Sequence, residues 1–151
     1  MQRVIISDTS CLILLDKIQE LDLLRKLYGQ IITTQIVVEE FGGQLPEWII
    51  IRSPKDVKNQ LILEMYLDKG EASAIAVAME EAECLLIIDE LKGRKIAKQL
   101  GLAITETLGL IIEAKSSGYI EFVRPLLDKI KQTNFRLSEQ LENIILKPVG
   151  E

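Results

Sequence analysis

The sequence predicts an α/β fold with a mostly parallel central sheet flanked by helices. Three observations carry this. Short β-branched runs alternate with amphipathic segments along the chain. The strongest run, Cys84 to Ile88 (CLLII), shows no polar alternation, as expected of a strand covered on both faces. The segment before it is dense in small residues, Ala72, Ala74, Ala76, Ala78 and Ala82, which suits a helix packed closely on a flat surface such as a sheet.

The elements follow in order. Arg3 to Ser7 (RVIIS) reads as a buried strand. Leu12, Leu15, Ile18, Leu21, Leu24 and Leu27 recur at helical spacing, giving one or two amphipathic helices up to Tyr28, with Gly29 as C-terminal cap. Gln30 to Thr33 (QIIT) is a second strand. Thr34 then caps a short helix reaching Phe41, and Gly42-Gly43 ends it. Trp48 to Arg52 (WIIIR) suits a short edge strand. Asp68 starts the Ala-rich helix. Leu91 to Leu100 is a basic amphipathic helix ended by Gly101, and Leu102 to Thr105 (LAIT) is a last short strand. Helices are expected near 108–116, 124–133 and 138–146, with Pro125 tolerated in a first turn. No repeat, linker or low-complexity tract interrupts the pattern.

Composition excludes several chemistries. The 151 residues carry 18 Lys+Arg against 23 Asp+Glu, a net charge of −5, and no histidine. Histidine-based triads, histidine general bases and Cys/His zinc sites are therefore ruled out. A basic excess of the kind that drives non-specific nucleic-acid binding is missing. Cys11 and Cys84 are too few for a disulfide framework and read as buried apolar residues in a reducing compartment. Asp8 interrupts the N-terminal apolar runs, and no apolar stretch approaches the length of a membrane span. The expectation is a cytoplasmic chain.

The informative residues are acids. In parallel sheets ligands bind beyond the C-terminal ends of the strands. Two strands run into an acid there, RVIIS into Asp8 and CLLII into Asp89. Thr9 and Ser10 follow Asp8 as hydroxyls able to orient it. Glu40 lies on the segment IVVEEF, and Glu71 opens the Ala-rich helix. Each acid alone also reads as a helix cap, a first-turn charge or a solvated surface group. Together they pose an electrostatic problem, because two carboxylates ~4 Å apart repel by about 4 kcal/mol at an effective dielectric near 20. A divalent cation resolves it, and all-oxygen ligation suits Mg²⁺ or Mn²⁺.

Four segments resemble the PIN domain family and, within it, VapC-like toxins: IISDTSCLI at 5–13, ITTQIVVEEF at 32–41, GEASAIAVA at 70–78 and LLIIDELKGRKIAKQLGL at 85–102. The family's strand, Asp and small hydroxyl residue match Asp8 and Ser10. Its helical Glu before an apolar residue matches Glu40. Its third and fourth acids, 18 residues apart, match Glu71 and Asp89 (89 − 71 = 18). The GEA and IDE-x-x-GR motifs resemble an uncharacterised PIN-like subgroup. Two departures stand out: Glu71 where many PIN proteins carry Asp, and Ile88 where many carry a polar or basic residue.

The resemblance implies a three-layer PIN-like fold over residues 1–151, with a core at 1–118 and a C-terminal helical extension at 119–151. It implies a metal-dependent ribonuclease acting on single-stranded RNA. Asp8, Glu40, Glu71 and Asp89 would be both catalytic and metal-binding, with Mg²⁺ or Mn²⁺ as cofactor. Ser10, Lys92 and Arg94 are the candidate substrate contacts, the last two on the only dense basic stretch. RNA and an antitoxin protein are the expected partners. A homodimer is also expected, because Ile13, Leu14, Leu23 and Tyr28 add apolar surface outside the core-facing stripe; cover from the C-terminal helices is the competing reading. A non-catalytic RNA- or protein-binding module of the same fold is the alternative function. A dehalogenase-like phosphatase is disfavoured by Ser10, which stands where that class needs a second Asp. A receiver domain is disfavoured because Asp8 lacks an acidic neighbour.

Overall fold

The computed structural model describes residues 3–151. Its strands are β1 (Val4–Ser7), β2 (Ile31–Thr33), β3 (Ile49–Ile51), β4 (Cys84–Ile87) and β5 (Ala103–Thr105). They form one five-stranded sheet in the order β3-β2-β1-β4-β5, and every pairing is parallel. The helices are α1 (Thr9–Lys17), α2 (Asp22–Tyr28), α3 (Gln35–Phe41), α4 (Val57–Leu63), α5 (Lys69–Met79), α6 (Leu91–Gln99), α7 (Thr107–Ser116), α8 (Arg124–Lys131) and α9 (Glu139–Leu146).

Strand alternation divides the interior into two cores. Ile5, Ile31, Ile49, Leu85 and Ile87 face one side, where they meet Leu12 and Leu15 of α1, Leu110 and Ile111 of α7, and Leu127 and Ile130 of α8. Ile6, Ile32 and Leu86 face the other, against the alanines of α5 and Ala97 of α6. Sheet and two helical layers give the expected three-layer architecture, and β3 takes the edge position read from WIIIR.

The segment between Leu12 and Tyr28 resolves into two helices. Gln19, with φ at 61°, breaks it after the C-cap at Ile18, and the Glu20 N–H closes back on the Leu15 carbonyl at 2.8 Å. Helix α4 has no counterpart in the sequence reading. Only Leu63 of its seven residues is buried, so it lacks the apolar stripe that periodicity detects. The Ala-rich helix also differs from its expectation of one flat contact: all nine residues from Gly70 to Ala78 are buried, between the sheet and helices α3, α4 and α6.

The C-terminal helices belong to the first core through Leu126, Leu127, Ile130, Ile145 and Leu146. The Glu151 carboxylate fastens them by accepting the N–H groups of Val123 (2.8 Å) and Arg124 (3.0 Å) at the start of α8. This packing removes the argument made for a dimer from α1 and α2. Leu14 and Leu23 are buried, and Tyr28 is half-buried and donates to Glu113 Oε2 at 3.0 Å. Exposed apolar residues gather instead on and just after α4, at Val57, Leu61, Ile62, Met65 and Tyr66. Among the described residues no helix is long and apolar enough to cross a membrane.

Candidate functional site

Strands β1 and β4 are adjacent and end in register, Ser7 opposite Ile87. The residues that follow them, Asp8 and Asp89, therefore emerge together at the C-terminal edge of the sheet. Asp8 caps α1, its Oδ1 accepting the Cys11 N–H at 3.2 Å. Its Oδ2 accepts the backbone N–H of Asp89 at 3.3 Å. Asp8 is only 1% exposed. Burial, and then the charge of Asp89, push its carboxyl up to about 8. Asp89 does not cap the helix that follows it. Its two oxygens are held by Thr107 at the start of α7, Oδ1 by the N–H at 2.8 Å and Oδ2 by the hydroxyl at 2.6 Å. Burial raises the Asp89 carboxyl as well, and the Thr107 bonds oppose that rise.

Glu71 stands in the first turn of α5, where its N–H is capped by Asp68 Oδ1 at 2.8 Å. Its carboxyl is pushed up to about 8 by burial, then by Asp68, Asp8 and Glu90. Glu71 Oε2 is buried without a hydrogen-bond partner. The longer side chain, one of the two departures from the family pattern, is accommodated by Gly93. A Cβ there would lie 2.6 Å from Glu71 Oε2 and 2.7 Å from Ile88 Cδ1. Both departures thus meet at one glycine. Glu40 is exposed and its Oε1 accepts the Thr9 hydroxyl at 2.5 Å. A Cβ at Gly70 would lie 2.9 Å from both Glu40 Cδ and Thr9 Oγ1. The chain thus links the four acids as neighbours: Asp8 to Asp89 through a backbone bond, Thr9 to Glu40, and Glu40 to the residue before Glu71.

Some expectations need correction. Thr9 and Ser10 do not orient Asp8. Thr9 serves Glu40, Ser10 is exposed, and two backbone N–H groups hold Asp8 instead. Arg94 is not a free cation. It is half-buried and its Nη1 is paired with Glu106 Oε2 at 2.9 Å, tying α6 to the start of α7. Lys92 is exposed. The sequence reading missed Asp68 and Thr107 as site residues. Asp68 carried a visible signal as the acid opening the Ala-rich helix, but only as a cap. Thr107 carried none, because it meets Asp89 through the β4–β5 pairing.

The donor set is all oxygen and fits a hard divalent cation. Two carboxyls poised to hold a proton and one buried, partnerless carboxylate oxygen are groups whose repulsion such an ion relieves. Among the described residues, however, no three or more His, Cys, Asp or Glu side chains are drawn together closely enough to hold a metal as they stand. The physical reason is visible: Thr107 and Thr9 hold Asp89 and Glu40, while Glu71 adjoins Asp68.

A family model described as DUF3368, PIN domain, matches residues 4–151. Neither a curated protein nor a solved structure matches the chain.

Proposed function

Since the chain belongs to the PIN domain family, a nuclease-type fold, we propose that it is a metal-dependent ribonuclease hydrolysing phosphodiester bonds in single-stranded RNA. Asp8, Glu40, Glu71 and Asp89 are its catalytic and metal-binding residues, and Mg²⁺ or Mn²⁺ its cofactor. The observation that carries this reading is the pairing of Asp8 with Asp89 at two adjacent strand ends, with Asp8 buried and holding its proton up to about 8.

When bound, a divalent ion supplies Lewis acidity toward water and the phosphate oxygens. The chain's own residues do the rest. Asp8 and Glu71 give up their protons as the ion is taken up, so loading consumes the energy stored in their burial. Thr107 fixes Asp89 and Thr9 fixes Glu40, which sets the direction of each lone pair. Without histidine, no imidazole takes the proton of the attacking water. Cleavage of single-stranded RNA with Mn²⁺, lost on Asp8→Asn, is the test.

A second reading, a non-catalytic RNA- or protein-binding module, is favoured by one observation. Asp8 and Glu71 hold protons near neutrality, and a protonated carboxyl is a poor metal ligand. Binding of RNA without cleavage in any divalent metal would select it.

The finer resemblance supports a VapC-like toxin with an antitoxin protein as partner; co-purification with the product of a neighbouring small gene tests this. We also propose a homodimer, supported by the exposed apolar residues around α4. Light scattering at a constant mass near 17.0 kDa contradicts it. Residues 1–151 are read as one PIN-like domain, supported by the core that α8 and α9 share with α1. A cytoplasmic location is supported by two buried free cysteines.

A further inference from the structure

Beside Asp89 lies a second feature that the four acids do not explain. A cavity of about 670 Å³ runs from Ser10 and Asp89 along one face of α1 to the loop before α9, where Lys17, Asn134, Phe135 and Arg136 line it. That volume is in the range of small-molecule pockets and large enough for a nucleotide. Its two ends differ in charge. Asp89 and Glu90 form an acidic end; Lys17 and Arg136 form a cationic end. Among the described residues neither Lys17 nor Arg136 is held in an ion pair with a carboxylate. The loop is built rather than loose. The Thr133 hydroxyl donates to the Ile130 carbonyl at 2.6 Å and accepts the Phe135 N–H at 3.1 Å. Lys17 Nζ donates to Asn134 Oδ1 at 3.4 Å, joining α1 to the loop. Phe135 is half-buried, packed by part of its ring on the first core.

The geometry points to a nucleotide subsite for single-stranded RNA, formed by Lys17, Asn134, Phe135 and Arg136 and continuous with the acidic rim at Asp89. The inference rests on the ribonuclease reading and deepens it by locating the substrate strand. The scissile phosphate lies at the acidic end, where a divalent ion supplies counter-charge. The neighbouring phosphate lies at the cationic end. Phe135 offers a ring face for a base, a contact that tolerates any sequence. Asn134 offers amide groups to a base edge. Charge complementarity favours this occupant over an apolar peptide. The subsite also gives the C-terminal extension a role, since three of its residues come from that part of the chain.

The test is an anisotropy titration of a fluorescein-labelled single-stranded heptaribonucleotide in Mg²⁺, with the oligonucleotide run on a gel afterwards. Lys17→Gln and Arg136→Gln should each weaken binding about fivefold. Together they should make the slope of log K against log salt shallower by about 1.4, at ~0.7 per lost phosphate contact on a single strand. Phe135→Leu, which keeps the apolar bulk but removes the ring face, should weaken binding about fivefold for any sequence. Lys58→Gln on α4 should change nothing. A double variant that binds as tightly as wild type with an unchanged slope overturns the subsite. So does a wild-type protein that binds polyglutamate but not the RNA, or neither. The gel reads the nuclease separately. Groove-dependent binding without products counts against hydrolysis alone; products with groove-independent binding count against the subsite alone.

Discussion

Thr107 grips both oxygens of Asp89, one through its backbone N–H at 2.8 Å and one through its hydroxyl at 2.6 Å. The side chain of Thr107 is fully buried, so the hydroxyl has a single task. Thr107→Val keeps the shape and removes that bond. It should cost about 1 kcal/mol of stability and lower ribonuclease kcat by about tenfold, the lower end of outer-shell effects at metal sites. Thr107→Ser should recover most of the rate. Equal rates in the Val and Ser variants would show that the hydroxyl does not aim Asp89.

Glu71 is destabilising in the metal-free protein. Its Oε2 is buried without a partner, and Asp68, Asp8 and Glu90 all disfavour its charge. Glu71→Gln replaces that charge with an amide able to donate to Asp68. Thermal melts in EDTA at pH 8 should show the variant more stable by about 1 kcal/mol, a rise of a few degrees for a domain of this size. Mn²⁺ should raise the melting temperature of the wild type and raise that of the variant less. A variant less stable in EDTA would mean that the carboxylate is satisfied in some other way.

The pH dependence follows from Asp8. Its folded value of about 8 lies above the ~3.9 of an unfolded Asp. Between those values the folded state binds the extra proton, so stability falls as pH rises. The contribution is complete below the unfolded value and is lost as pH passes through about 8; Glu71 acts in the same direction. Metal-free protein should therefore melt at a higher temperature at pH 5.5 than at pH 8.5, against the usual trend for a salt-bridged carboxylate. Melts in EDTA across that range decide it; a higher melting temperature at pH 8.5 contradicts the assignment. Divalent-ion affinity should run the other way, rising with pH as the carboxyls release their protons.

Two glycines hold space for carboxylates. Gly93→Ala places a methyl 2.6 Å from Glu71 Oε2 and 2.7 Å from Ile88 Cδ1, and Gly70→Ala places one 2.9 Å from Glu40 Cδ and Thr9 Oγ1. Both glycines are helical, where alanine gains helix propensity of up to about 1 kcal/mol. The Gly70 variant presses on the exposed side chain of Glu40, which moves aside; it should keep its stability and lose activity. The Gly93 variant presses on the packed Ile88 and should lose both, with destabilisation of about 1–3 kcal/mol. Urea unfolding beside a cleavage assay separates the two outcomes. A fully active Gly70→Ala protein would remove Glu40 from the machinery.

Much of this arrangement is legible in the sequence, for a local reason. Asp8 and Asp89 each follow an uninterrupted apolar strand, and a parallel sheet sends such residues to one edge. The strands, the Gly29, Gly42 and Gly101 caps and the Ala-rich helix are likewise written in short-range pattern. What was hidden depends on tertiary contact. Thr107 reaches Asp89 across 18 residues of chain (107 − 89 = 18). Arg94 sits on an exposed-looking basic helix, yet its partner Glu106 lies beyond a strand. The apolar excess of α1 and α2 could not be assigned without knowing that α8 and α9 fold back over it. Helix α4 was silent because its apolar residues face outward.

The central claim is that the Asp8–Asp89 rim hydrolyses RNA with a divalent ion. Its most direct test is the initial rate of single-stranded RNA cleavage in Mn²⁺ for wild type and Asp89→Asn. The asparagine keeps both Thr107 contacts, its oxygen accepting the N–H and its amide donating to the hydroxyl, so the fold and the rim geometry persist while one metal-binding charge is gone. The account predicts measurable cleavage by the wild type and a loss of about 100-fold or more in the variant at an unchanged or higher melting temperature. Equal rates in the two proteins, or no cleavage by the wild type in Mg²⁺ or Mn²⁺, would contradict it.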